Sequence, residues 1–287
     1  MDRSNIKWDQ QLRFRHIEIV ALWEGRLTTR HLCQTFGIGR QQASRDINHY
    51  LSLAPTALKY DTRLKGYKPS PYFKPRFSQG DFSEYLQLLM QQKQLEESGF
   101  ELLTIRSADT ELVVPPQRQV DPAVVRQLLI AARNATRVKL MYASIATGAI
   151  SERVFVPHTL VHDGYRWHLR GYCEQHERYL DLVLSRIRGL PKLLYPSDHS
   201  QQQDSQWNQW VKVTLVPNPQ FSDAQREVIA IDYGMDGDQL TLTCRQALMD
   251  YHLRRLQIAT PIQAFDPASQ LLVVSDTVRC SQPQVPQ

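Results

Sequence analysis

After Ala132 the spacing of apolar residues along this chain turns from helical to alternating, and the change limits what it can build. Trp8, Leu12, Ile19, Val20 and Trp23 recur at helical intervals, with Phe14 and Ile17 broadening the stripe. Helical spacing continues through Ile47, from Phe82 to Met90 and from Val125 to Ala132. From Arg137 to Arg188 apolar positions alternate instead, in short runs bounded by turn residues. A helical front and a strand-rich continuation do not share one layer, so the expected class is multidomain α+β. The 287 residues provide length for roughly two to three domains.

Composition narrows the class of molecule. With 42% hydrophobic and 22% charged residues, neither wholesale disorder nor a fibrous chain is expected. No stretch approaches the ~20 apolar residues of a membrane span, and Met1-Asp2-Arg3-Ser4-Asn5 opens no signal-peptide core, so a cytoplasmic location without membrane contact is expected. Cys33, Cys173, Cys244 and Cys280 are scattered without a CxxC pair. That argues against a structural metal or a disulfide framework and fits a reducing compartment.

Charge is unevenly distributed. Residues 1–77 hold 14 Lys and Arg against 6 Asp and Glu, a net of +8, while the remainder holds 20 against 23, a net of −3. Such a front either faces a polyanion, nucleic acid first, or is simply a solvated basic surface. After a helix ended by Gly25, Thr28 or Thr29 can cap a short helix carrying Leu32, Cys33 and Phe36. Gly37 then permits a left-handed turn into a second helix. The small Cys33 and Ala43, with Ile47, suit the crossing of a helix-turn-helix. Ala43, Ile47, Tyr50 and Leu51 point inward, leaving Arg40, Gln41, Gln42, Ser44 and Arg45 outward at the helix start. Those types match base edges and phosphates, Arg to guanine and Gln to adenine, although a structural hairpin with a polar face has the same pattern. Leu58 to Asp61 and Tyr67 to Pro69 then read as strands about the basic turn Thr62 to Gly66, a wing whose Arg63, Lys65 and Lys68 reach the DNA backbone or minor groove.

Ser78 or Asp81 caps a helix through Phe82, Tyr85, Leu89 and Met90 to about Glu97, ending near Ser98-Gly99, either a spacer and dimer contact or a helix packed on its own domain. Pro115-Pro116-Gln117-Arg118-Gln119 is a linker, and Asp121-Pro122 opens the next helix. The expected limits are 1–77 for the basic domain, 78–118 for a helical spacer and linker, 119–195 for the central domain and 207–287 for a carboxy-terminal α+β unit. Short strands follow at Arg137–Tyr142, Arg153–Val156, His158–His162, Tyr165–Cys173, Arg178–Leu184 and Arg186–Arg188, making a small bent sheet or barrel. Around the turn at Asp163-Gly164, alternation puts Tyr165, Trp167 and Leu169 on a core face and Arg166, His168 and Arg170 on a cationic one. Three basic groups two apart repel unless solvent, carboxylates or an anionic ligand offsets them. Arg153, His158, Arg186 and Arg188 add charge from neighbouring strands, and Tyr142 and Ser144 add hydroxyls, so an anion pocket and a solvated strand face both remain open.

The segment Arg166-Trp167-His168-Leu169-Arg170-Gly171-Tyr172, with Tyr142-x-Ser144, Arg153, Val156-Pro157-His158, Leu184-Ser185-Arg186-Ile187 and the run from Leu58 to Ser70, resembles bacterial WYL-domain transcriptional regulators of the BrxR/CapW type. His168 stands where that family carries its naming Tyr. The resemblance covers residues 5–195 well and the last 80 less clearly. It implies an amino-terminal winged helix-turn-helix, a central Sm-like β-barrel (the WYL domain) and a carboxy-terminal extension that helps dimerisation. It also implies a homodimer on a palindromic operator in double-stranded DNA, usually a repressor beside phage-defence genes. Its DNA affinity would change when an anionic effector, a nucleotide or oligonucleotide, occupies the WYL pocket. Carried over by residue, that pocket is Tyr142, Ser144, Arg153, His158, His168, Arg170 and Arg186, and the DNA-reading set is Thr29, Arg40, Gln41, Gln42, Ser44, Arg45, Arg63, Lys65 and Lys68.

The last segment expects a hydrophilic connector over Ser197–Gln206, strands at Trp210–Val216, Gln239–Cys244 and Gln270–Ser275, helices at Asp223–Ile231 and Gln246–Leu256, and a frayed tail from Gln282. An enzymatic alternative rests on His158, His162, Asp163, His168 and His176 as a metal or nuclease centre. It fits poorly: His158 and His162 in an extended setting lie about 13 Å apart, and no GxGxxG, GxxxxGK[ST] or GxSxG run is present. Neither catalytic residues nor a cofactor are expected.

Overall fold

The computed structural model describes residues 6–97, 99, 111, 113, 115–116, 118–259 and 269–282, and the chain divides into two compact units, Met1–Val114 and Pro115–Gln287. The first unit runs α1 (Trp8–Glu24), α2 (Thr29–Phe36), α3 (Arg40–Leu53), the hairpin β1 (Leu58–Asp61) and β2 (Gly66–Pro69), and α4 (Phe82–Glu97). Gly25 and Gly37 adopt the left-handed conformation that closes α1 and α2, at φ of 66° and 63°. At the start of α2 the amide of Thr28 donates to Nδ1 of His31 over 3.0 Å, reciprocating the helix end as a capping-box side chain does. Phe14, Ile17, Val20, Leu27, Leu32, Ala43, Ile47 and Tyr50 form the core under these helices and the hairpin. α4 packs on α1 through Ile19, Tyr85 and Leu89.

The second unit begins with α5 (Pro122–Arg133), where the Asp121 carboxylate accepts the Ala123 amide at 2.7 Å and Pro122 occupies the first turn. Val124, Leu128 and Ala131 of α5 pack on a sheet of β3 (Thr136–Ala143), β4 (Ile150–His162), β5 (Trp167–Cys173), β6 (Arg178–Val183) and β7 (Ile187–Pro196). The strand order is β6-β5-β4-β3-β7, all antiparallel. The expected barrel is not closed, because among the described residues β6 and β7 form opposite edges with no pairing between them. The chain leaves β6 through a single 3-10 turn, Leu184–Arg186, and enters β7 at the far edge beside β3.

The sheet bends by register slips rather than by closure. One slip lies between Pro157 and Thr159, because a proline has no N–H to give the ladder. The two strands expected on either side of Pro157 are therefore one bulged strand of 13 residues. β7 likewise runs on to Pro196, well beyond the expected Arg186–Arg188.

After the connector come α6 (Ser205–Asn208), β8 (Trp210–Pro217), α7 (Asp223–Asp232), β9 (Leu240–Arg245), α8 (Met249–Arg255) and β10 (Leu272–Cys280). Their strands pair in the order β10-β8-β9 over a separate core of Val211, Val213, Leu215, Ile229, Cys244, Leu253 and Leu272. All four cysteines are free. No helix among the described residues is long and apolar enough to cross a membrane. Ser98, Gln117 and the tail beyond Gln282 lie outside the described residues.

Candidate functional site

Two sites emerge, one in each unit. In the first, Ala43, Ile47 and Tyr50 bury one side of α3, which leaves Arg40, Gln41 and Arg45 exposed and Ser44 half-buried at its start. Arg40, Gln41, Ser44 and Arg45 line one shallow, open depression. Gln42 differs from the expectation of a free outward side chain: its Nε2 donates to Asp46 at 3.1 Å. Asp46 is fully buried and also accepts from Gln10 Nε2 and Arg13 Nε, both at 2.8 Å, tying α3 to α1. One turn on, the Tyr50 hydroxyl donates to Glu18 at 3.0 Å. Buried Glu18 also takes the amides of Arg76, Phe77 and Ser78 at 2.7 to 2.8 Å. Burial, and then the charge of Glu18, push the Tyr50 phenol upward in pKa, so it remains a donor. α3 is thus anchored twice along its inner side while its start faces outward.

In the wing, Asp61 accepts the amides of Arg63 and Leu64 at 2.9 and 3.1 Å and shapes the tip. Arg63 and Lys65 project there exposed, with Lys65 at a φ of 48°. Lys68 pairs with Asp61 at 2.8 Å rather than standing free. Thr29 is the half-buried first residue of α2.

In the second unit the face of β5 expected to be cationic is buried and neutralised by the chain's own carboxylates. Arg170 is 2% exposed and donates to Asp204 from Nε at 2.6 Å and Nη2 at 3.0 Å, and to Asp181 from Nη1 at 3.2 Å. Asp204 also lies 3.1 Å from Nε2 of His158. The Tyr251 hydroxyl on α8 donates to Asp181 at 2.8 Å and is 3.2 Å from Nδ1 of His168, whose Nε2 is 2.9 Å from Asp163. A continuous relay results: His158, Asp204, Arg170, Asp181, Tyr251, His168, Asp163. Burial alone would raise the Asp163 carboxyl, but bonds from His168 and the amides of Arg166 and Tyr165 outweigh it and hold it at about 2. Burial likewise acts against ionised Asp204, and the Arg170 guanidinium overrides it, so that carboxyl is also held low. For His158 burial wins over the pull of Asp204, and its pKa falls.

The opposite face also departs from expectation. Leu169 is core, but Tyr165 and Trp167, at and just after the turn that leads into β5, are each 48% exposed. Tyr165 lies under the guanidinium of Arg118, and Trp167 packs on the ring of His162. Of the expected pocket residues, His158, His168 and Arg170 belong to this one relay, joined through Asp204, Asp181 and Tyr251. Arg153 instead pairs with His176 at 3.2 Å. Tyr142 is a core residue whose hydroxyl accepts the Val183 amide at 3.1 Å, and Ser144 closes the β3–β4 turn by donating its amide to Ala149. Arg186 is half-buried in the 3-10 turn after β6. The histidines of the enzymatic alternative do not converge: His158 and His168 are spread along the relay, while His162 and His176 have separate partners. Asp181, Asp204 and Tyr251 were not singled out in the sequence. Only the uncompensated basic row of β5 signalled that acids had to arrive from elsewhere.

Residues 9–91 match the BrxR transcriptional regulator winged helix-turn-helix domain, 123–191 the WYL domain, and 210–279 the BrxR transcriptional regulator C-terminal dimerization domain. The DNA-binding transcriptional repressor CapW of Escherichia coli (strain KTE188) is 34% identical over 256 residues, 89% of this chain and 85% of that one. CapW of Stenotrophomonas maltophilia is 32% identical over 279 residues, 97% and 93% of the two chains. CapW of Pseudomonas aeruginosa is 32% identical over 256 residues, 89% and 85%. With relatives this similar along nearly its full length, and with a winged-helix, a WYL and a dimerization domain matched in order, the chain belongs to the BrxR/CapW family of WYL-domain transcriptional regulators.

Proposed function

We propose that this protein is a homodimeric DNA-binding transcriptional repressor that recognises an inverted repeat and is controlled by an anionic effector at the WYL domain. The carrying observation is the start of α3, where Arg40, Gln41, Ser44 and Arg45 are presented outward on a helix fixed from behind by Asp46 and Tyr50. The net charge of +8 over residues 1–77 supports duplex affinity without sequence preference, and the α3 side chains supply the preference. Thr29 and the wing residues Arg63, Lys65 and Lys68 serve phosphates, while Gln42 positions α3 through Asp46. The dimerization domain matched over residues 210–279 supports dimerisation through residues 207–287, which suits a palindromic operator. The relatives' names support repression, and the resemblance to regulators encoded beside phage-defence systems supports an operon of that kind as the target. In the WYL domain, His158, His168 and Arg170 form the centre of the effector site, with Tyr142, Ser144, Arg153 and Arg186 toward its margins.

The test is binding to the duplex upstream of the protein's own gene, followed by fluorescence anisotropy. Arg40→Ala or Gln41→Ala should relax preference at one base pair by about 1–3 kcal/mol. Lys65→Ala should weaken all duplexes alike. Equal effects from both kinds of change would remove the recognition role of α3.

A further inference from the structure

Tyr172, Arg170 and His168 share one face of β5, two residues apart in succession. Side chains from the connector between β7 and β8 occupy the first two. The His199 ring stacks on Tyr172 with centroids 3.6 Å apart and planes 16° apart, and Tyr179 stands edge-on to Tyr172 at 5.3 Å. One strand step away, about 6–7 Å, Asp204 sits in the bidentate fork of Arg170. The connector therefore lays a planar ring on an aromatic platform and an anion in a guanidinium fork, at the separation of a nucleobase from its phosphate.

We propose that the 197–209 connector is an internal stand-in for a nucleotide-type effector, which binds by displacing His199 from Tyr172 and Asp204 from Arg170. This rests on reading the basic face of β5 as the effector site. Tyr172, Tyr179 and His199 are half-buried, whereas Arg170 and Asp204 are 2% and 1% exposed, so the ring end opens to solvent first. The connector is folded on itself, with Asn208 donating to the carbonyls of Gln201 and Gln202. Besides the Asp204 bonds, its outside attachments include the Tyr179 hydroxyl to the Ser200 carbonyl at 2.9 Å, Gln201 to Thr159 at 3.1 Å, the Ser197 amide to the Ala135 carbonyl at 2.8 Å and Arg170 to Gln206 at 3.4 Å. A phosphate has more charge and more acceptor oxygens than a carboxylate, and a base stacks over more area than imidazole, so a nucleotide competes with the connector for the same two partners.

Displacement is felt downstream. Asp204 caps α6 through the Trp207 amide at 3.1 Å. Arg245 at the end of β9 donates to the Trp207 carbonyl at 2.6 Å and covers the rings of Trp207 and Trp210. Moving Asp204 thus pulls on the domain matched to dimerisation.

Calorimetry on the full-length protein tests this with three probes: adenosine 5′-monophosphate, a 5′-phosphorylated tetradeoxynucleotide and inorganic phosphate. His199→Ala and Asp204→Asn should each bind both nucleotide probes about tenfold or more tighter than wild type. Adding Tyr172→Leu to His199→Ala should erase the gain for the nucleotides and leave phosphate unchanged. A larger gain for the tetranucleotide identifies a nucleic-acid end as the source, and a larger gain for the monophosphate a free nucleotide. His199→Ala removes no bond of the buried relay, so it decides the matter even if Asp204→Asn folds poorly. Probe binding to wild type with no gain in His199→Ala overturns the stand-in while leaving the effector site in place. Silence of all variants to all probes, with operator binding intact, overturns the stand-in and the effector site together.

Discussion

At Asp46, three donors from two helices converge on one buried carboxylate, and the aim of α3 depends on it. Removing that carboxylate leaves the Arg13 guanidinium, almost closed to solvent, with the exposed Asp9 carboxylate at 3.1 Å as its remaining ion partner, and takes the acceptor from Gln10 and Gln42 as well, a costly way to break a buried pair. Asp46→Ala should destabilise the amino-terminal unit by about 3–5 kcal/mol in urea unfolding, and Asp46→Asn, which keeps an acceptor, by clearly less. A loss below about 1 kcal/mol for Asp46→Ala would show that the anchor is dispensable. The outward residues Arg40, Gln41 and Arg45 were legible in the sequence because Ala43 and Ile47 fix the helical phase, and phase alone decides which side a residue takes. Their anchors were not. An acid inside a basic helix reads as solvated until a partner 33 positions earlier is brought to it, and spacing carries no record of such a meeting. Arg170 has the same history: its fork is filled by Asp204, from a connector whose Ser, Gln and Asp composition marks a surface loop.

Among the elements, β5 shows where periodicity informs and where it stops. Alternation placed His168 and Arg170 on one face correctly, but it could not show that this face is covered. The cover consists of the connector and Tyr251 of α8, neither adjacent to β5 in sequence. Pro157 was legible as a fault in the ladder, yet the strand tolerates it by bulging instead of ending. Gly171 faces that bulge. A Cβ there would run against the Val156 carbonyl and the Phe155 ring and lie 2.8 Å from Pro157 Cα, backbone that cannot yield without breaking the β4–β5 pairing. Gly171→Ala should therefore lower the stability of the carboxy-terminal unit by at least about 2 kcal/mol. The amino-terminal unit should be unaffected, a difference that limited proteolysis with mass spectrometry resolves unit by unit. An unchanged cleavage pattern would mean that the sheet relaxes around the added methyl group.

For the molecule as a whole, the sequence separated a basic helical front from a strand-rich remainder, and the two compact units divide at Val114, close to the Pro115-Pro116 linker that marked the change. It did not reveal the open edge between β6 and β7, because strand order depends on pairings that alternation does not encode. Nor does any residue pattern in 207–287 name a partner; dimerisation enters through the matched domain. Binding of a specific duplex by a dimer is what the proposed function stands on, and titrating the protein against the DNA upstream of its gene at several salt concentrations tests it. Expected are two protomers per inverted repeat, affinity at least about 10³-fold above that for unrelated duplex, and a logarithm of affinity that falls linearly with the logarithm of salt. Equal affinity for unrelated duplex, or a single protomer on the site, would contradict it.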